Sequence, residues 1–374
     1  MRRLPERPPR GMATELLFFV VGLAALIAGA ELLVRGASKL ALAWGISPLV
    51  VGLTIVAFGT SSPEMAVTVG AALEGTTDIA IGNAVGSNVF NVLFILGVSA
   101  LIAPLVVHSQ LIRQEAPVMI GATVLLIVMM VDGVVGHGEA ALLVALLVAY
   151  AAFLVVQSRR QTRATAGAYA GEVGRKAGAG ARWDSHWAVQ ALLVAVGLAL
   201  LVLGSRWLVD AAVAFAQAFG VSELVIGLTI VAAGTSLPEV ATSIAAAVKG
   251  ERDIAVGNVV GSNTFNILGC LGLAGLVAPA GLPVAPAVLH FDAWVMLAAA
   301  SACLPIFLTG REIARWEGAV FVGYYVAYVA YLILAAQRHA LLPAFSAAML
   351  GFVIPLTIVT LVVVLLRPPA RAPK

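Results

Sequence analysis

The chain has 374 residues, 61% of them hydrophobic and 11% charged, with a formal net charge of +3. Water-soluble domains carry about 25% charged residues, so this chain lacks the polar surface to cover a globule in water, and a mean hydropathy of +1.03 excludes disorder. Two cysteines in so long a chain exclude a secreted disulfide scaffold, and so small a net charge gives no support to nucleic-acid binding.

A membrane-crossing helix needs roughly 20 mainly apolar residues. In chain order, such runs predict spans at 16–38, 46–73, 79–103, 116–132 and 139–157, then at 188–216, 221–248, 254–278, 291–309, 316–336 and 341–366. The expected fold is an all-α polytopic membrane protein embedded in lipid. The first run is longer than the apolar region of a signal peptide and lacks a small-x-small cleavage site, so it reads as a helix. The one sizeable polar segment is 158–187, where Arg159, Arg160, Arg163, Arg175, Lys176 and Arg182 face only Glu172 and Asp184. Basic loops stay on the cytoplasmic side. This loop is therefore expected inside, and the N-terminus, five helices earlier, outside. On that arrangement sixteen Lys and Arg lie inside and five outside, four of the five in the N-terminal tail.

Residues 45–104 superimpose on 220–279 at a constant shift of 175 without gaps, and 36 of the 60 positions are identical. The densest matches are GLTIVAFGTSSPE (52–64) with GLTIVAAGTSLPE (227–239), and GNAVGSNVFN (82–91) with GNVVGSNTFN (257–266). Shared composition explains matching Ala, Leu and Val but not matching Thr, Ser, Pro, Glu and Asn. A shift across five helices, an odd number, turns the second copy over in the membrane. Inverted repeats of this kind place transporter sites near the midplane. A fainter likeness, Glu115-Ala-Pro-Val-Met with Asp292-Ala-Trp-Val-Met, runs at a shift of 177. The expected organisation is a tail (1–15), a five-helix repeat (16–157), the basic loop (158–187), a second five-helix repeat (188–336), and an eleventh helix with its tail (337–374) outside the symmetry.

A carboxylate inside a membrane helix costs on the order of 3 kcal/mol. Glu64 and Glu239 sit within predicted spans with no Lys or Arg a turn or two away. Pro63 and Pro238 lack an N–H and free carbonyls near Gly59 and Gly234, so an interrupted helix is expected at each motif. The hydroxyls of Thr60, Ser61, Thr235 and Ser236 share a face with the glutamates. Carbonyls, hydroxyls and carboxylates are hard oxygen ligands that suit Ca²⁺ or Na⁺ and not zinc or copper. On the next helix of each copy, Asn83, Ser87 and Asn91, and likewise Asn258, Ser262 and Asn266, recur every four residues as a polar stripe. The Gly82/Gly86 and Gly257/Gly261 pairs have GxxxG spacing, which lets helices approach closely. Ser87, Asn91, Ser262 and Asn266 read as ligands, whereas Asn88 and Asn263, off the stripe, read equally well as helix-to-helix glue. Glu31 with Arg35, and Arg206 with Asp210, have the spacing of self-neutralising pairs, and Cys270 and Cys303 read as packing. No GxSxG, HExxH or paired-aspartate motif indicates an enzyme.

These motifs resemble those of the calcium/cation antiporters, in particular the prokaryotic sodium/calcium exchangers, whose two repeats carry GTSxPE on one helix and GSNxxN or GSNxFD on the next. The resemblance covers roughly residues 16–336. It implies that Glu64 and Glu239 are the bridging central ligands, with Thr60 and Thr235 contributing mainly backbone oxygen. It further implies one flanking sodium site from Ser61, Ser87 and the carbonyl of Ala57, another from Ser236, Ser262 and the carbonyl of Ala232, and central positions for Asn91 and Asn266. The cargo would be Ca²⁺ exchanged for Na⁺, with H⁺ as an alternative coupling ion, across a prokaryotic inner membrane. No cofactor is implied, and nothing in the pattern specifies an oligomer. Alternating access would come from the first and sixth helices sliding against the rest. A cation channel, the competitor from another class, would pass ions without a counter-ion. Some sodium/calcium exchangers have aspartate where Asn266 stands, so the site here carries two carboxylates, and one Ca²⁺, two Na⁺ or two H⁺ neutralise it.

Overall fold

The computed structural model describes residues 12–44, 46–164, 186–218 and 232–366. Most of the basic loop and N-terminal tail, and the first part of the span expected at 221–248, lie outside the described residues. Among the described residues, nine helices are long and apolar enough to cross a membrane, and a bent pair makes a tenth. They are α1 (Met12–Trp44), the bent pair α2 (Pro48–Thr60) and α3 (Ser62–Leu73), α4 (Thr77–Ile102), α5 (Leu111–Met130), α6 (His137–Ala164) and α7 (Trp187–Ala218). Then come the short α8 (Leu237–Val248), α9 (Arg252–Val277), α10 (Val288–Leu308), α11 (Arg315–Ala336) and α12 (Leu342–Val363).

The expected interruption falls between α2 and α3, which meet at 48°. Ser61 leaves the helical region at φ −79°, ψ 7°, and Ser236 does the same before α8 at φ −87°, ψ 8°. In both copies proline follows two residues later, in the first turn of the new helix, where its missing N–H costs nothing. Gly75 and Gly250 then end α3 and α8 with φ near +75°. Thr76 N–H reaches back to Ala71 O, and Glu251 N–H to Ala246 O, both at 2.9 Å, closing a helix end that only glycine adopts without strain.

Symmetry extends to elements the sequence left unread. Wider π-helical turns occupy Asn91–Leu96 and Asn266–Leu271, and again Leu111–Glu115 and Val288–Asp292. Two antiparallel ladders of two residues each, β1 (Leu105–Val106) with β4 (Glu312–Ile313) and β2 (Val134–Val135) with β3 (Leu282–Pro283), tie the helix connections together. β1 precedes α5 and β2 follows it, so the ladders lie at opposite ends of that helix. Leu105 and Leu282, related by the shift of 177, therefore sit at opposite ends, as an inverted repeat requires. Each half also has a carboxylate–tyrosine brace between neighbouring helices: Tyr150 donates to Glu115 Oε2 at 2.5 Å, and Tyr328 to Asp292 Oδ1 at 2.8 Å.

α1 and α7 pack along a glycine seam. A β-carbon on Gly22 would stand 2.9 Å from Gly204 O, and one on Gly29 2.8 Å from Gly197 O. Gly22 and Gly29 map onto Gly197 and Gly204 by the same shift of 175, which the opening repeat alone did not show. Because the obstacle is backbone, the helices must separate to admit a side chain. Gly29→Leu is expected to destabilise the fold by at least 1–3 kcal/mol, roughly the cost of overpacking, read as a lower thermal midpoint in detergent. Glu31, on α1, meets Lys249 Nζ at 2.6 Å, an ion pair that joins the two halves. α12 lies outermost, with Leu350 and Phe352 exposed, and is held by Tyr324, whose hydroxyl reaches Thr357 Oγ1 at 2.5 Å.

Candidate cation-binding site

Breaking the helices at Ser61 and Ser236 puts Glu64 and Glu239 in the first turn of α3 and α8, the end of a helix that favours negative charge. Both glutamates are fully buried. Their hydrogen bonds cross between the halves: Ser236 Oγ donates to Glu64 Oε1 at 2.8 Å, and Ser61 Oγ to Glu239 Oε1 at 2.9 Å. The second oxygen of each carboxylate is buried without any partner, as is Asn91 Oδ1. Neither glutamate has an ion-pair partner among the described residues. Two buried carboxylates with free lone pairs and no neutralising base among the described residues are strongly unfavourable as they stand, and a cation between them would supply what is missing.

The serines group differently from the implied flanking sets. Ser236 Oγ lies 3.2 Å from Ser87 Oγ, and Ser262 Oγ shares Glu239 Oε1 with Ser61 at 3.5 Å. The hydroxyls therefore assemble as Ser236 with Ser87 and as Ser61 with Ser262, correcting the grouping by repeat. Helix packing explains it. A β-carbon on Gly261 would meet Leu53 O at 2.7 Å and Ala57 Cβ at 2.9 Å. The first half's interrupted helix thus lies on the second half's α9, and Ala57 belongs beside Ser262.

The hydroxyls of Thr60 and Thr235 reach asparagines of the opposite half. Thr60 Oγ1 donates to Asn258 Oδ1 at 3.1 Å, and Thr235 Oγ1 to Asn83 Oδ1 at 3.4 Å. Asn83 and Asn258, the first members of the polar stripes, are braces. Asn83 Nδ2 reaches Glu64 O at 3.3 Å and Thr68 Oγ1 at 3.1 Å; Asn258 Nδ2 reaches Glu239 O at 3.5 Å and Ser243 Oγ at 3.0 Å. They fix the backbone that carries each carboxylate.

Asn88 and Asn263 form a reciprocal clasp. Each donates through Nδ2 to the other's backbone carbonyl at 3.2 Å and approaches a methionine sulfur, Met296 or Met119, at 3.6 Å. Their Oδ1 atoms accept from Asn266 Nδ2 at 3.1 Å and Asn91 Nδ2 at 3.0 Å. Of the two readings open for Asn88 and Asn263, glue is the one the structure favours, and the glue also orients the central asparagines. Asn263→Ala is expected to cost about 1 kcal/mol, the scale of an interhelical hydrogen bond in a membrane, measured as a loss of thermal stability. Sequence reasoning missed Ser205 of α7, whose Oγ caps Gly234 O at 2.7 Å, the carbonyl that Pro238 frees. The equivalent residue on α1 is Ala30, so this cap has no counterpart that the repeat could have revealed.

A helical membrane bundle enclosing two carboxylates with mirrored hydroxyls and amides defines a cation transporter. The model of the sodium/calcium exchanger protein family matches residues 14–158 and 189–334. The chain belongs to the sodium/calcium exchanger family. It is 34% identical over 348 residues to the sodium/calcium exchanger MaX1 of Methanosarcina acetivorans, covering 86% of this chain and 99% of that one. It is 37% identical over 268 residues to the inner membrane protein YrbG of Escherichia coli, covering 72% and 81%. A solved structure of the sodium-calcium exchanger NCX_Mj, soaked with Na⁺ and Ca²⁺, superimposes with a TM-score of 0.71 at 29% identity, covering 85% of this chain and 98% of that one. The protein is accordingly an integral membrane cation antiporter, a transporter and not an enzyme.

Proposed function

We propose that this protein exchanges Ca²⁺ for Na⁺ across a prokaryotic plasma membrane by alternating access, with its N-terminus outside and the loop 158–187 in the cytoplasm. The observation that carries this reading is the pair of buried carboxylates, each held through one oxygen by the opposite half and open at the other. The proposed ligands are Glu64 and Glu239, the backbone oxygens of Thr60 and Thr235, the serines Ser61, Ser87, Ser236 and Ser262, the carbonyls of Ala57 and Ala232, and Asn91 and Asn266. All are hard oxygen donors, as these cations require. The ions are cargo, and no cofactor takes part. An empty site carries two buried negative charges, and only states in which cations compensate them cross between the inward- and outward-open forms. That selection makes the cycle an exchange and not a leak. The family membership and the ions soaked into NCX_Mj support the same cargo.

Proton coupling is the second reading. It is supported by the count of two carboxylates with amides, not a third acid, at positions 91 and 266. Reconstituting the purified protein in proteoliposomes and measuring Ca²⁺ flux under imposed Na⁺, K⁺ and H⁺ gradients in turn separates the readings. Flux driven by a Na⁺ gradient alone is the expected result. Drive by a H⁺ gradient alone selects the second reading, and flux with no counter-ion, the behaviour of a channel, overturns both.

A further inference from the structure

The polar groups of the two halves mirror one another closely, yet the central asparagines differ. Asn91 Nδ2 donates to Asn263 Oδ1 at 3.0 Å, and Asn91 Oδ1 is buried without a partner. Asn266 Nδ2 makes the mirror bond to Asn88 Oδ1 at 3.1 Å, but its own Oδ1 accepts the thiol of Cys270 at 3.5 Å. The residue equivalent to Cys270 is Ile95, which has no donor to offer. Both positions are fully buried. A helical thiol commonly turns to the carbonyl four residues back, as Cys303 does to Ala299 O at 3.6 Å. Cys270 lies in the π-helical turn that begins at Asn266, and there its partner is the side-chain amide.

We propose that Cys270 is a positioning residue that makes the two central asparagines inequivalent: Asn91 offers the transported cation an unshared oxygen, while Asn266 offers one shared with the thiol. The inference rests on the cation-centre reading above. An amide oxygen has two lone pairs. The thiol takes one of them and pins the amide plane, so Asn266 remains a ligand but a weaker one. The second half of the site thereby holds its cation less tightly than the first, although the two sequence motifs match at this position.

The test is the half-saturating Ca²⁺ concentration for exchange by the full-length protein in proteoliposomes. Asn91→Ala and Asn266→Ala each break one mirrored bond to the asparagine clasp, so that loss cancels between them. Asn91→Ala is expected to raise half-saturation more than Asn266→Ala. Cys270→Ala, which frees the Asn266 oxygen, is expected to lower it about threefold, the scale of a weak S–H hydrogen bond. Cys270→Ser, with a stronger donor, is expected to raise it. In an Asn266→Ala background Cys270→Ala is expected to change nothing. Cys270→Val supplies the same readout where alanine leaves a void that unfolds the protein. An unchanged half-saturation in both Cys270→Ala and Cys270→Val, or an equal shift in the Asn266→Ala background, overturns the proposal. Should Asn91→Ala and Asn266→Ala both leave half-saturation unmoved, the cation-centre reading itself fails. If they raise it equally and the cysteine variants are inert, only the inequivalence fails.

Discussion

Glu64→Gln and Glu239→Gln are each expected to abolish cation exchange while leaving the cation-free protein at least as stable as the unsubstituted chain. Glutamine keeps the shape of the side chain and an oxygen to accept the Ser236 or Ser61 hydroxyl, so the bonds that join the halves at 2.8 and 2.9 Å survive. What disappears is one of two buried negative charges that no base neutralises. Desolvating such a charge costs several kcal/mol, and that cost is recovered only when a cation binds. The sign is therefore opposite for the two states: the empty protein gains and the loaded protein loses. In the unsubstituted chain, Ca²⁺ at about 100 times its dissociation constant stabilises the fold by about 2.7 kcal/mol. In either variant this cation-dependent rise in the thermal midpoint is expected to vanish along with flux. Thermal unfolding in detergent with and without Ca²⁺, beside Ca²⁺ uptake in proteoliposomes, gives both readouts. A variant that still exchanges Ca²⁺ at the unsubstituted rate would falsify the assignment.

The readable part of this site was the part repeated in the chain. The shift of 175 between GTSSPE and GTSLPE exposed the glutamates, and Pro63 and Pro238 announced the break that the structure places at Ser61 and Ser236. Both signals are local, carried by residues two positions apart in the chain. Pairings that cross from one half to the other were illegible. Nothing within either motif says that Ser236 approaches Ser87 rather than Ser262, because that depends on Gly261 letting Leu53 and Ala57 come close. The same holds for Glu31, whose partner Lys249 lies in the other half. The ladders were unreadable for another reason. Two-residue strands carry no alternation, and it is pairing with distant segments, with Leu105 and Leu282 fully buried, that holds them extended. Asn88 and Asn263 stood between. The sequence marked them as polar groups off the stripe, and the structure shows that they clasp each other.

Exchange by this chain is expected to be electroneutral, and Asn266→Asp is expected to make it respond to membrane potential. The buried site holds Glu64 and Glu239, formally −2, because positions 91 and 266 are both amides. One Ca²⁺ brings it to zero, and so do two Na⁺. A third Na⁺ would leave an uncompensated positive charge where water does not screen it, which the low dielectric of such a site makes strongly unfavourable. One Ca²⁺ moving one way against two Na⁺ the other carries no net charge, so a potassium diffusion potential should leave the rate of Ca²⁺ uptake unchanged. Aspartate at 266 adds a third carboxylate and makes room for the third Na⁺. The Ca²⁺-loaded site of this variant then crosses one positive charge short of balance, more slowly, and each cycle moves one net charge. That charge is worth about 2.3 kcal/mol per 100 mV, enough to bias uptake roughly fiftyfold for each 100 mV of potential. Valinomycin with imposed potassium gradients on proteoliposomes makes the comparison directly. If the unsubstituted chain already follows the potential, a third positive charge enters the cycle, and the site must then compensate it with a group other than the two glutamates.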